Sequence, residues 1–412
     1  MSAILTVGIV ILGGFAFGEL AKKIGLPKVT GFIIAGVLLN PSLSHVVPAD
    51  FTAHTDLITN IALAFITFSV GGTLYYGRVR RLGRSIFAIT LCEAEFAFLV
   101  SGIGLLALAP LIVGGAGASW AGTYVPLALL LGCLASPTDP SATLAVTHEY
   151  KAKGPVTSTI LGVTAFDDVL GIINFSVATA IAHVLITHQR LSVVSSVIHP
   201  AGSILGAILC GVIFGLVFNT VTYLIRRETE GALIVMVLAM LALTFGVARW
   251  AGADELLATM TMGAVVVNYN ARRQKIFRML ERYTEELIFV LFFTLSGMQL
   301  DFSVLSKNLP LILALVVFRA IGKTLGAVTG ATLSGASGKV KRFVAGGLIP
   351  QGGIVVGLAL LMKQKPAFSG ISGLVISVVI GATVIHELIG PVISKMAIKA
   401  AGEIPEAKRP SA

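Results

Sequence analysis

Residues 164–186 read TAFDDVLGIINFSVATAIAHVLI, and this stretch places two adjacent carboxylates, Asp167 and Asp168, inside an apolar run that extends from about residue 155 to 186. A charged aspartate at the centre of a bilayer costs roughly 2.5–3.5 kcal/mol on the insertion scale, so an unexplained pair costs about twice that. If the run is a membrane span, such a pair marks an ion or proton pathway.

Composition says that it is a span. Of 412 residues, 56% are hydrophobic and 12% are charged, whereas a soluble domain carries about 25% charged residues. Mean hydropathy is +0.93. Thirteen apolar runs are long enough to cross a bilayer, near residues 3–20, 27–43, 55–75, 84–113, 123–148, 155–186, 200–225, 230–249, 253–270, 284–300, 308–334, 342–363 and 370–399. They are too long for membrane β-strands and lack alternation, so the expected fold is an all-α polytopic membrane protein of about 13 transmembrane helices. The first run is followed by Lys22 and Lys23 with no basic residue before it, which reads as a retained span and not a cleaved signal. Cys92, Cys133 and Cys210 lie within apolar runs at spacings that suggest packing and neither a zinc site nor disulfides.

The basic residues provide an independent reading of topology. Loops after the odd-numbered runs, together with the C-terminal tail, hold 23 lysines and arginines, including Arg272, Arg273, Lys275, Arg278 and Arg282; the opposite loops hold five, Arg190, Arg249, Lys307, Lys363 and Lys365. By the positive-inside rule the N-terminus is outside and the C-terminus cytoplasmic, in a cell inner membrane. The net charge of +10 then reflects topology and contact with anionic lipid headgroups, and no nucleic-acid partner is expected. The two remaining cations, Arg319 and Lys323, lie four apart inside the eleventh run and share a helix face. They are expected to be charge partners of the in-span carboxylates.

A weak internal repeat organises the chain. FSVGGTLYYGRV and TLSGMQLDFSVL align Gly71 with Gly297 and Leu74 with Leu300, and GFIIAGVLLN and TMTMGAVVVN align Gly36 with Gly263, at offsets of 226 and 227 residues. Seven spans separate the copies, an odd number, so the second copy is inverted in the membrane. The repeat also pairs two interruptions. LASPTDPSATLAV carries Pro137 and Pro140, which remove backbone donors, and AGGLIPQGGIVVG carries Pro350 with Gly352 and Gly353 nearby. Two broken, crossing helices are therefore expected, with freed carbonyls and helix ends available to ions. Thr138 and Asp139 add a hydroxyl and a third carboxylate; they are either ligands or caps of the broken helix end.

With LPKVTGFIIAGVLLNP, ASPTDPSA, GVTAFDDVLG and AIGKTLGA in register across nearly the whole chain, the sequence resembles the monovalent cation/proton antiporter superfamily. In design it is similar to the thirteen-helix sodium/proton antiporters of the cation/proton antiporter-2 group, which carry paired aspartates. The resemblance implies that Asp168 is the principal carboxylate binding either Na⁺ (or Li⁺) or H⁺, with Asp167 able to pair with Lys323 and with Thr138 and Asp139 near the site. It implies a scaffold and dimerisation domain (1–80 and 228–302), an ion-translocating core (81–190 and 308–401), a linker helix (200–226), a short tail (402–412), homodimers and elevator-like alternation of access. Arg319, one turn before the matched lysine, and PQGG in the second break, which lacks a charged residue, depart from the pattern.

Adjacent helical residues diverge by about 100°, so one aspartate can meet the lysine while its neighbour meets the ion. Asp168, Asp167 and the Thr138 hydroxyl supply hard oxygens for Na⁺, and a protonated site excludes it. If Lys323 also exchanges its proton or its partner, two protons move for one sodium and exchange is electrogenic. Glu93 and Glu95 face apart, and either is a candidate partner for Arg319. K⁺/H⁺ exchange suits the same carboxylates, and a sodium-coupled organic solute symporter is a further reading. A channel filter, a nucleotide loop, metal-ligand spacing and a nucleophile motif are all missing from the sequence. The expected protein is therefore no enzyme and uses no cofactor beyond the transported ions.

Overall fold

The computed structural model describes residues 3–44, 46–48, 51, 55–113, 119–187, 198–225, 229–298, 308–363 and 365–405. Among them all regular structure is helical. Leu300, Arg190, Lys307, Arg226, Arg227, Lys408 and Arg409, used above for the repeat and the charge balance, lie outside the described residues. We number the principal helices α1 (Ala3–Lys23), α2 (Lys28–Leu39), α3 (Asp56–Thr73), α4 (Tyr76–Ile112), α5 (Val125–Leu134), α6 (Pro140–Glu149), α7 (Pro155–Thr187) and α8 (His199–Leu224). They continue with α9 (Glu230–Trp250), α10 (Glu255–Tyr269), α11 (Arg273–Tyr283), α12 (Glu285–Met298), α13 (Leu309–Leu333), α14 (Gly338–Phe343), α15 (Gly353–Lys363) and α16 (Ser369–Ala400).

Every apolar run holds at least one of these helices, and among the described residues seven helices are long and apolar enough to cross a membrane by themselves. Large apolar side chains far from the helix ends lie open, among them Leu12 (69%), Ile103 (66%) and Leu205 (66%). A water-soluble protein rarely leaves so much apolar surface uncovered, whereas lipid requires it. Two helices fall between the runs. Residues 273–283, which the sequence presents as a basic loop, form α11, with Ile276, Met279 and Leu280 buried on one face.

Close approach of backbones explains much of the glycine. Gly36 of α2 packs on Gly297 of α12, where a β-carbon would stand 2.2 Å from the Thr294 carbonyl oxygen. Gly71 of α3 packs on Gly263 of α10, where a β-carbon on Gly71 would stand 2.0 Å from the Met260 oxygen. Two side-chain bonds echo this exchange. The Asn40 amide donates to the Met298 carbonyl (3.0 Å) and the Asn268 amide to the Leu74 carbonyl (2.9 Å). Each copy of the sequence repeat thus packs on the other's complementary helix. Since a side chain at Gly71 must push two backbones apart, Gly71→Val is expected to cost about 3 kcal/mol. A thermal midpoint in detergent equal to wild type would contradict this packing argument.

The breaks follow from their prolines. α5 ends at Leu134, and Pro137 has no N–H to continue it. α6 restarts with Asp139 as N-cap, its Oδ1 accepting from the Ser141 N–H at 2.8 Å, and with Pro140 in the first turn. On the other side a 3₁₀ turn, Val344–Leu348, leads through Pro350 to α15, which starts at Gly353. The breaks touch: the Asp139 N–H donates to the Pro350 carbonyl at 3.0 Å. Gly352 is needed here, because a β-carbon would stand 2.7 Å from Cγ of Asp139.

Candidate ion site at the two broken helices

α7 is the third component of this junction. A β-carbon on Gly171 would meet Pro137 Cγ at 2.4 Å, so this glycine lets the first break lie directly on α7. One turn earlier Asp167, fully buried, accepts from the Thr138 hydroxyl (2.5 Å) and from Lys323 Nζ (2.9 Å), both on Oδ2. The ammonium also donates to Thr138 Oγ1 (2.7 Å) and stands 2.5 Å from Glu93 Oε2. An ammonium has three protons. Thr138 and Asp167 accept two of them, Glu93 stands in ion-pair contact, and all four side chains are fully buried.

Glu93 is the residue that the sequence reading misplaced. It was a candidate partner for Arg319, and it binds Lys323 instead. α4 and α13 pack along each other, with Gly322 and Gly326 lying against the backbone of α4 at Phe96–Ala97 and Cys92–Glu93. That contact brings Glu93 level with Lys323. The signal in the sequence was an in-span acid near the level of an in-span base, which identifies a partner only once the helix pairing is known.

Arg319 is the second correction. It was expected to be a charge partner for the aspartates, yet among the described ion pairs it has no carboxylate. Its Nε donates to the Ala135 carbonyl (2.9 Å), Nη1 to Ile349 (2.6 Å), and Nη2 to Pro137 (2.8 Å) and Pro350 (3.3 Å). These are the carbonyls that the breaks set free, so the oxygens expected to face an ion are bound by a guanidinium. The physical reason is that two helix C-terminal ends, each partly negative, converge in a dry interior, and a buried arginine satisfies both. Gln351 (Nε2 to Leu134 O, 2.8 Å) and Thr143 (Oγ1 to Gly347 O, 2.9 Å) satisfy others.

Asp139 is held as a cap. Besides the Ser141 N–H it accepts the Ser141 hydroxyl at 2.5 and 2.6 Å. Asp168 differs from all of these groups. It follows Asp167 on α7, has no described hydrogen bond or ion pair with Lys323, and lines a small cavity of about 10 Å³ with Thr67, Pro140 and Asp254. Its buried Oδ1 has no hydrogen-bond partner among the described residues, and neither has Oδ1 of Asp167. The arrangement therefore provides one carboxylate tied through Oδ2 to a buried lysine and one with no described cation partner, each with an Oδ1 that a cation or a proton can take. At the level of this site, Ser296 of α12 donates to both oxygens of Glu387 on α16 (3.2 and 2.9 Å). This agrees with the interhelical role that acids here often have.

Comparison with known proteins bears on the family and the fold. A Na⁺/H⁺ antiporter named NhaP from Pseudomonas aeruginosa is 27% identical over 288 residues, which are 65% of this chain and 66% of that one. The Na⁺/H⁺-K⁺ antiporter GerN of Bacillus cereus is 21% identical over 365 residues, 86% of each chain. In fold, the chain is similar to the sodium proton antiporter MjNhaP1 from Methanocaldococcus jannaschii at pH 8, with a TM-score of 0.73 and 19% identity, covering 97% of this chain and 99% of that one. Similarity extends to NhaP and GerN alike, so the matches establish a transporter family and no single branch of it, and they agree with the expectation that the chain is not an enzyme. Residues 7–399, which include both breaks, Asp167, Asp168, Arg319 and Lys323, match the family described as sodium/hydrogen exchanger, transmembrane, and the chain belongs to that family.

Proposed function

We propose that this protein exchanges Na⁺ (or Li⁺) for H⁺ across the membrane, with both ions competing for Asp168. The observation that carries this reading is the division of labour on α7: Asp167 is bound to Lys323, while Asp168, one residue on, has no cation partner and keeps a buried oxygen without a hydrogen bond among the described residues. Family membership supports cation/proton antiport as the class. A proton on Asp168 removes the charge that a sodium ion needs, so the two ligands exclude each other.

Asp167, Thr138 and Lys323 form the charge reservoir beside the ion site. Lys323 is held by two carboxylates, so a sodium ion drawn to Asp167 Oδ1 weakens its hold and leaves Glu93 as its anchor. Release of a proton from the lysine at that step makes the exchange electrogenic, with a potential contribution of about 2.3 kcal/mol per charge per 100 mV. In this reading α4–α7 and α13–α16 move as a core against a scaffold formed by α1–α3 and α9–α12, with α8 as linker, in an elevator-like cycle. The scaffold carries the homodimer contact, and the N-terminus is outside.

One observation favours a second reading, K⁺/H⁺ exchange: GerN, whose name includes K⁺, matches 86% of this chain. The experiment that separates them is exchange in proteoliposomes, with internal pH followed on addition of Na⁺, Li⁺ or K⁺, with and without an imposed potential. A sodium- or lithium-dependent pH change that responds to voltage is expected. A response to K⁺ alone would replace the ion, a voltage-indifferent response would remove electrogenicity, and no response to any cation would overturn antiport.

A further inference from the structure

Away from the ion site, a cavity of about 680 Å³ lies where α9, α10 and α11 meet, and five residues of its wall are basic: Arg272, Arg273, Lys275, Arg278 and Arg282. Glu230 is the one acid among the described lining residues. α11 is amphipathic. Ile276, Met279 and Leu280 bury one face, and Lys275, Arg278 and Arg282, at i, i+3 and i+7, share the other.

The cavity is anchored by a hydrogen-bonded frame. The Asn270 amide, ending α10, donates to Asn219 Oδ1 and Thr222 Oγ1, both at 2.8 Å, and its Oδ1 accepts the Arg272 N–H at 2.8 Å. Arg272 Nη1 reaches the Ile225 carbonyl at the end of α8 (3.1 Å), and the Arg273 guanidinium stacks 4.7 Å above the Tyr75 ring. Beside this basic wall the last residues of α8 are apolar and open: Tyr223 is 78% exposed, Leu224 70% and Ile225 44%. A basic hollow with an apolar flank matches an amphiphile better than a free anion. The charge balance of the loops places it at the cytoplasmic leaflet, where anionic headgroups are concentrated.

We propose that this hollow binds an anionic phospholipid of the cytoplasmic leaflet, its phosphate held by Lys275, Arg278 and Arg282 and its acyl chains lying along the exposed end of α8. The proposal is independent of which cation is exchanged, and its test needs no transport. Purified full-length protein in an uncharged detergent is titrated with phosphatidylglycerol, with phosphatidylcholine of the same acyl chains, and with inorganic phosphate, and both the thermal midpoint and lipid adducts in native mass spectrometry are read. Phosphatidylglycerol is expected to raise the midpoint and to remain bound, while the other two do neither. The double variant Arg278→Gln/Arg282→Gln is expected to bind phosphatidylglycerol about tenfold more weakly or worse, with an unliganded midpoint near wild type, whereas Lys153→Gln binds as wild type. Equal binding by wild type and the double variant would overturn the site. Equal effects of phosphatidylcholine would overturn headgroup recognition, and a matching effect of inorganic phosphate would make it a small-anion site and overturn the lipid.

Discussion

Asp168→Asn is expected to abolish cation-coupled proton movement while leaving the thermal midpoint unchanged. The carboxamide has the shape of the carboxylate, but it carries neither a charge for sodium nor a titrating proton. No hydrogen bond is lost with it at Oδ1, because that atom has no partner among the described residues. Asp167→Asn provides the contrast. It leaves Lys323 with Glu93 as its remaining acidic neighbour, and breaking one side of a buried pair costs about 3–5 kcal/mol. That variant is expected to melt earlier and to retain some exchange with altered response to voltage. The measurement is initial exchange rate beside thermal midpoint for both variants. An Asp168→Asn protein that still exchanges, or an Asp167→Asn protein as stable as wild type, would reverse the roles assigned to the two aspartates.

The legible part of this molecule was what a bilayer imposes locally. A charged pair in an apolar run, two prolines in one span and a third at the equivalent place seven spans later are costly unless used, so Asp167, Asp168, Pro137, Pro140 and Pro350 were readable one at a time. Gly36 and Gly263 were readable as a repeat, though their actual contacts, with Gly297 and Gly71, needed the helix packing. Partner choice was not readable for the same reason. Arg319 and Lys323 share a face, and nothing local says that one meets carboxylates while the other, four residues earlier, meets carbonyls. α11 is a different kind of miss. Ile276, Met279 and Leu280 at i, i+3 and i+4 do announce a helix, but the five basic residues around them read first as a charged loop. Asp139 was left between cap and ligand, and the two Ser141 groups bound to its carboxylate favour the cap.

Arg319→Met is expected to be the most destabilising single change at the site. Four carbonyls from the two breaks, Ala135, Pro137, Ile349 and Pro350, lose their common donor, and only Pro350 keeps another described one, the Asp139 N–H. Each buried carbonyl left unsatisfied costs about 1–3 kcal/mol, so the loss of three is expected to reach about 3 kcal/mol or more. Arg319→Lys separates charge from geometry. An ammonium keeps the positive charge opposite the helix ends but is one point with three donors, whereas the planar guanidinium has five in a fixed fork that spans both breaks. The lysine variant is therefore expected to recover part of the stability and to show a raised apparent KM for Na⁺, because Thr138 follows directly on Pro137 and shifts with it. A lysine variant with wild-type KM and midpoint would reduce Arg319 to a simple counter-charge. A methionine variant as stable as wild type would mean that the breaks hold themselves together through contacts such as the Asp139 N–H to Pro350 bond.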